Sequence, residues 1–309
     1  MAGPKAPIES QRPGVSSQDR SRKDGLRIGL ALGGGGARGL AHIHVLEELD
    51  ALGIRPSMIA GSSIGALIGA GYAAGMTGSE IRGYANTLFG RKVDAVRRIL
   101  QVRPSRVEGA VSGRFHFGQL NIENVLAAFL PEQLHSSFDK LQTPLLVTAT
   151  DYYGHRLEVI QEGDLLSALA ASAAVPALFG PVRREGKLYI DGGITSPVPF
   201  DLFDDRVDFV IAVDVVGVPR RGVKSPSSID LLFGATQIMM QSIVNSKLAN
   251  TRPDVLVRPA IDRFRVLDFG RIDQVLEESR NVRLDLREAL LRQRPELVAD
   301  RIVERFASD

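Results

Sequence analysis

Two short stretches carry residue types at spacings that suit acyl transfer. Gly61-Ser62-Ser63-Ile64-Gly65 is a G-x-S-x-G pattern. A serine at its centre sits on a sharp strand-to-helix turn, and glycines two positions to either side keep neighbouring backbone clear. Upstream lies Gly33-Gly34-Gly35-Gly36-Ala37-Arg38-Gly39. Such a loop lets backbone N–H groups point into a concavity at a helix N-terminus, where negative charge is stabilised. Gly34, Gly36 and Gly39 also spell G-x-G-x-x-G. A dinucleotide site, however, wants an acid at the end of the following strand to hold the ribose, and Ile54–Ala60 has none. A P-loop would need Gly-Lys-Ser/Thr where Arg38-Gly39-Leu40 stands. The loop therefore reads as a cradle for a bound phosphate or for an oxyanion formed during reaction. The serine one βα unit downstream favours the oxyanion, because acyl transfer needs a nucleophile and oxyanion donors together.

A serine nucleophile needs a base. The histidines are His42, His44, His116, His135 and His155, and none follows residue 155. A Ser, acid, His order of the α/β-hydrolase kind places its histidine late in the chain, so no triad of that type is expected. His42 and His44, two apart on a helix, point to nearly opposite sides and make no metal pair. His155 follows Gly154 at an expected hairpin turn and reads as a surface residue. Asp191, in Ile190-Asp191-Gly192-Gly193, is the best remaining base. It ends a short apolar run, and Gly192 and Gly193 permit a tight turn that aims the carboxylate toward the C-terminal ends of the strands, where sites in open α/β sheets lie. An ordinary Asp-Gly turn is the plainer reading of these residues taken alone. A carboxylate can accept the serine proton directly in a dry, well-held site.

The elements that must position these groups follow from periodicity. Leu26–Leu32 is a buried-strand run ending in four glycines. Leu40, Ile43, Leu46, Leu49 and Leu52 recur at helical spacing, and Gly53 supplies a stop. Ile54–Ala60 is expected as a second strand, turning at Gly61–Gly65 into a helix of small residues that runs to about Gly75. Further strands are expected at Pro144–Thr150, Arg156–Ile160, Lys187–Ile190, Phe209–Val215 and Val255–Val257, with helices near 121–130, 164–174 and 229–249. This alternation predicts a mainly parallel sheet covered by helices. The stretch from Arg271 predicts an amphipathic helix with Val275, Val282, Leu286 and Leu290 on one stripe, packed on the body and broken at Pro295.

Composition narrows the chemistry. The chain has 309 residues, 44% hydrophobic, and no cysteine. Disulfides, Cys-ligated metals and thiol nucleophiles are therefore excluded. The formal net charge is +2, too small to suggest a nucleic-acid partner. Residues 1–25 are polar and charged, without an apolar stretch for a secretory signal, and read as a disordered tail. Ile59–Gly75 is glycine-rich and too short to span a bilayer, so a soluble cytoplasmic protein is expected. Residues 91–106 carry six basic side chains against Asp94. They read first as a solvated surface segment, and second as a mobile cap or a face meeting anionic lipid.

In this order, Gly34-Gly35-Gly36-Ala37-Arg38-Gly39, Gly61-Ser62-Ser63-Ile64-Gly65 and Asp191-Gly192-Gly193 resemble the three signatures of the patatin-like phospholipases. The resemblance continues through Ala171-Ser172-Ala173-Ala174-Val175-Pro176 and Pro197-Val198-Pro199, over roughly residues 26–215. Ser196 departs from it, standing where an Asn is common in the family. The resemblance implies a three-layer α/β/α acyl hydrolase domain over 26–309, with the part from 271 helical. It further implies a Ser63–Asp191 dyad, an oxyanion loop over Gly34–Gly39, a nucleophile elbow bounded by Gly61 and Gly65, and a turn at Gly192–Gly193. The function implied is a serine carboxylic ester hydrolase of lipid metabolism, of phospholipase A type. It would use no metal or organic cofactor, act on a lipid or acyl ester, and touch membranes peripherally. A low-activity scaffold with this fold and a phosphate- or nucleotide-binding module are the two other classes open to the sequence.

Overall fold

The computed structural model describes residues 25–89, 120–135, 137–219 and 225–298. The expected tail up to residue 24, the basic segment 91–106 and the C-terminal residues 299–309 lie outside the described residues.

The described residues of the chain form an eight-stranded sheet. In chain order its elements are β1 (Ile28–Leu32), α1 (His42–Ala51), β2 (Met58–Ser62), α2 (Ile64–Ala73), α3 (Gly78–Phe89), α4 (Ile122–Phe129), β3 (Leu145–Asp151), β4 (Arg156–Ile160), α5 (Leu165–Ser172), β5 (Val182–Arg184), β6 (Lys187–Asp191), β7 (Phe209–Val213), α6 (Ser228–Asn250), β8 (Val255–Val257), α7 (Ile272–Ser279) and α8 (Val282–Gln293). The strand order is β5-β6-β3-β2-β1-β7-β8, with β4 paired to β3. Strands β3, β2, β1, β7 and β8 are mutually parallel; β4, β6 and β5 join antiparallel at one end.

The second strand lies further along the chain than its apolar pattern suggests. Pro56 has no N–H to give a ladder, and Ser57 N instead donates to Ile28 O at 2.8 Å, so pairing begins at Met58. The expected C-terminal helix is divided at Arg280–Asn281 into α7 and α8, and α8 ends at Gln293, ahead of Pro295. Its expected stripe of Val275, Val282, Leu286 and Leu290 is buried. Helix α8 is fastened to α1: the buried Glu48 meets Arg283 Nε at 3.1 Å and Arg287 Nη2 at 2.6 Å.

The sheet separates two cores. On one face Leu30, Leu32, Ile59, Leu145, Val147 and Ile211 pack under α1, α2 and α5. On the other, Ala31, Ala60, Leu146 and Ala212 pack against Val198, Phe200, Phe203 and Val244 of α6. The result is three layers, with most helices on the first face and α6 on the second. Side chains alternate between the faces along each strand, which is why consecutive residues of β1 enter different cores.

Candidate active site

The two groups singled out in the sequence meet through β3. Residues 145–148 of β3 pair with β2, with Thr148 opposite Ser62. Residues 149–151 pair with β6, with Ala149 opposite Asp191. Because β4 pairs with 147–151 along the other edge, β2 and β6 share one edge of β3 and run toward each other. Their ends stop at adjacent register positions, so Ser63 and Asp191 face one another across that junction.

Ser63 follows β2 and caps α2, with φ 53° and ψ −123°. A positive φ is strained for a non-glycine residue and holds the side chain proud of the turn. Its Oγ donates to Asp191 Oδ2 at 2.6 Å, and both residues are buried. Asp191 Oδ1 accepts from Gly193 N at 2.8 Å. The Asp191 carbonyl accepts from Thr150 Oγ1 at 2.9 Å, and that hydroxyl also meets Thr195 Oγ1 at 2.9 Å. Ser63 N donates to Ser172 Oγ at 2.9 Å. Burial lifts the Asp191 carboxyl to about 6, against the opposing hydrogen bonds from Ser63 and Gly193. The carboxyl is thus a stronger base than an exposed aspartate, yet ionised at neutral pH.

The glycines flanking Ser63 stand where larger residues would collide. A Cβ on Gly65 would lie 2.1 Å from Leu32 O, and one on Gly61 2.5 Å from Ala66 Cα. After Asp191, a Cβ on Gly192 would meet Thr148 O at 2.2 Å, and one on Gly193 would meet Met240 Cε at 2.9 Å.

The loop after β1 leaves the sheet beside the end of β7. The helices following β1 and β7 go to opposite faces, so this is a switch point at which a crevice opens. Gly33 N donates to Val213 O at 3.0 Å, Gly34 N to Pro197 O at 2.8 Å and Ala37 N to Val266 O at 2.8 Å. Gly36 has φ 58° and begins a 3-10 helix, Gly36–Ala41, that includes Ala37, Arg38 and Gly39. No described residue accepts from the N–H of Gly35 or Gly36. Of the residues expected to supply oxyanion donors, Gly34 and Ala37 therefore have their N–H groups committed elsewhere, while Gly35 and Gly36 keep theirs. Arg38 is 1% exposed, and its Nε donates to Gly35 O at 3.3 Å, so it braces the loop from within. Burial lowers its pKa to about 10, opposed by Asp262 and Asp214. Oriented to satisfy both of its amide atoms, Gln237 of α6 accepts from Arg38 Nη2 at 3.0 Å.

Sequence reasoning passed over His42. It is fully buried, and its Nε2 meets Gly33 O at 2.8 Å. A carbonyl only accepts, so Nε2 carries the proton, and burial lowers the ring's pKa to about 4, leaving it neutral. Ser172, Thr150 and Gln237 were also missed. Ser172 sits within the Ala171–Pro176 stretch that carried the resemblance; Thr150 and Gln237 have no local signature. His155 is exposed in the β3–β4 turn, as expected. Among the described residues, no cluster of three or more His, Asp or Glu is placed to hold a metal.

A cavity of about 640 Å³ opens at Ser63 and Gly36. Its walls come from α1 to α4, the 173–179 loop and the 266–270 loop, among them Ile68, Leu126, Phe129, Phe179 and Phe269, and among the described residues no charged one lines it. Among the described residues, no helix is long and apolar enough to cross a membrane.

The family model for patatin-like phospholipase matches residues 30–204. An uncharacterized NTE family protein of Mycobacterium tuberculosis is 34% identical over 192 residues, covering 62% of this chain and 49% of that protein. A lysophospholipase of Emericella nidulans is 26% identical over 278 residues, covering 82% of this chain and 18% of that protein. The chain thus spans about half the length of the first of these relatives and less than a fifth of the second. The crystal structure of the type III effector protein ExoU covers 86% of this chain and 53% of its own, at 16% identity and a TM-score of 0.42.

Proposed function

Because the chain belongs to the patatin-like phospholipase family, we propose that it is a lipid acyl hydrolase in which Ser63 is the nucleophile and Asp191 its base. The observation that carries this reading is the 2.6 Å hydrogen bond from Ser63 Oγ to Asp191 Oδ2 at the head of an uncharged cavity of about 640 Å³. An acyl chain lying in the cavity brings its ester carbonyl to Ser63. Oγ attacks the carbonyl carbon while its proton passes to Asp191, and the N–H groups of Gly35 and Gly36 receive the oxyanion. The positive end of the α2 dipole adds to that stabilisation. On collapse, Asp191 returns the proton to the departing alcohol, leaving an ester on Ser63. Water then repeats the sequence and releases the fatty acid. The apolar cavity at Ser63 and the lysophospholipase among the relatives put single-chain phospholipids first among substrates to try.

A fluorophosphonate probe tests the reading. Covalent labelling of the wild type, abolished in Ser63→Ala, is the expected result. A folded wild type that never labels across detergent and lipid conditions, or a Ser63→Ala variant that labels equally well, overturns it.

A further inference from the structure

Helix α6 has an unusual face. Its inward side carries Gly234, Gln237 and Val244, all buried, while Leu231, Leu232, Ile238 and Met239 are each more than half exposed. With 3.6 residues per turn, these four and the exposed Ala235 form one stripe opposite the buried set. No charged residue occurs from Leu231 to Ser246. Further along the same face the stripe becomes polar, through Ser242, Ser246 and Asn250. Apolar exposure is therefore confined to one end of the helix.

That end is the one at the site. The Gln237 amide meets Arg38, which braces the loop after β1, and Met240 lies against Gly193 of the turn after Asp191. Leu231 and Leu232 are about 8 Å further out along the axis, at 1.5 Å per residue. Two more apolar groups stand beyond the strand ends: Tyr152 and Tyr153, 50% and 73% exposed, in the turn after β3, and Leu267, 45% exposed, on the wall of the cavity.

We propose that the first turns of α6, at Leu231, Leu232, Ala235, Ile238 and Met239, dock on a lipid surface and so bring the mouth of the acyl cavity to the lipid. This deepens the hydrolase reading and rests on it for the source of the substrate. The axial grading fits a planar surface met end-on, whereas a partner helix lying along α6 would want apolar residues throughout. The four large side chains offer on the order of 500 Å² of apolar surface, the size of the largest patch on a typical monomer, which is often functional. A stable dimer buries about 800 Å² per partner, so the stripe falls short of a second copy. Insertion of a few apolar side chains is, by contrast, how reversible interfacial binding works.

The test compares the full chain with Leu231→Gln/Leu232→Gln/Ile238→Gln/Met239→Gln, and with the milder Ala235→Glu, on phosphatidylcholine vesicles and on a water-soluble short-chain ester. The wild type should co-sediment with the vesicles, and binding should persist at about 1 M salt, where screening is effective beyond about 3 Å. The fourfold variant should lose at least about 100-fold in vesicle partitioning, taking about tenfold for each of two well-buried side chains. Ala235→Glu should lose part of this, and soluble-ester turnover should stay within about twofold in both variants. Partitioning unchanged in both variants overturns the proposal, as does binding abolished by salt, or a dimeric wild type made monomeric by the substitutions. Loss of partitioning in a chain that never turns over the soluble ester upholds this docking surface while removing the hydrolase reading.

Discussion

In the proposed mechanism Asp191 sets the acid limit of the reaction. A base must be ionised, and burial places this carboxyl at about 6, so kcat/KM should fall tenfold per pH unit below about pH 6 and level off above it. A pH profile that stays flat down to pH 4 would exclude Asp191 as the base. Asp191→Asn should lower kcat/KM by at least about 10³ while keeping the fold, since proton transfer and support of the nucleophile are lost together. The same residue affects stability. Its folded pKa lies above the unfolded value of 3.8. Between these values the folded state holds a proton that the unfolded state has released, so this group's contribution weakens as pH rises through about 6. Asp191→Asn should therefore be more stable than the wild type at pH 8, by on the order of 3 kcal/mol, with the difference narrowing toward pH 4 in denaturation experiments.

At the scale of elements, the crossing of β1 and α2 is the tightest part of the site. Gly65→Ala would place a methyl 2.1 Å from Leu32 O, and both sides of that contact are fixed, one by the sheet and the other by the helix. We expect a loss of about 1–3 kcal/mol in chemical denaturation, and a reduced kcat in the remaining folded enzyme, because Leu32 leads directly into the oxyanion loop. Stability and kcat both unchanged would show that the crossing tolerates a side chain. Much of this region was legible in the sequence because short-range signals agree there: an apolar strand run, glycines at the turn and a helical repeat within fifty or so residues. Strand β5 was not legible, since Val182–Arg184 is too short to show alternation. Nor was α3, in which only Gly78, Ile81 and Ala85 are buried. The Gly33–Gly39 loop was legible as a donor loop, but which N–H groups remain available was not. That depends on Pro197 O and Val266 O, far away in the chain.

Across the whole molecule, the cavity joins helices from the first half of the chain to the 266–270 loop. Its walls, which carry no charge among the described residues, predict a simple dependence on acyl length. At about 0.8 kcal/mol per methylene, kcat/KM should rise about fourfold for each added carbon until the cavity is full, then level off. Leu126→Trp, which fills part of the wall, should move the plateau to shorter chains and leave acetyl-ester turnover unchanged. A chain-length series that is flat from the start would show that the cavity holds something other than the acyl group.

Under the proposed mechanism, the end-to-end meeting of β2 and β6 on one edge of β3 makes hydrolysis a gauge of strand registry. The proposed nucleophile follows β2 and the proposed base ends β6; these strands never pair with each other, and only β3 measures the gap between them. Displacing either strand by a single position moves its end by about 3.3 Å, more than a hydrogen bond can span. Competence should then be lost abruptly rather than by degrees. During denaturant titration, turnover and the far-ultraviolet signal of the sheet should vanish over the same concentration range.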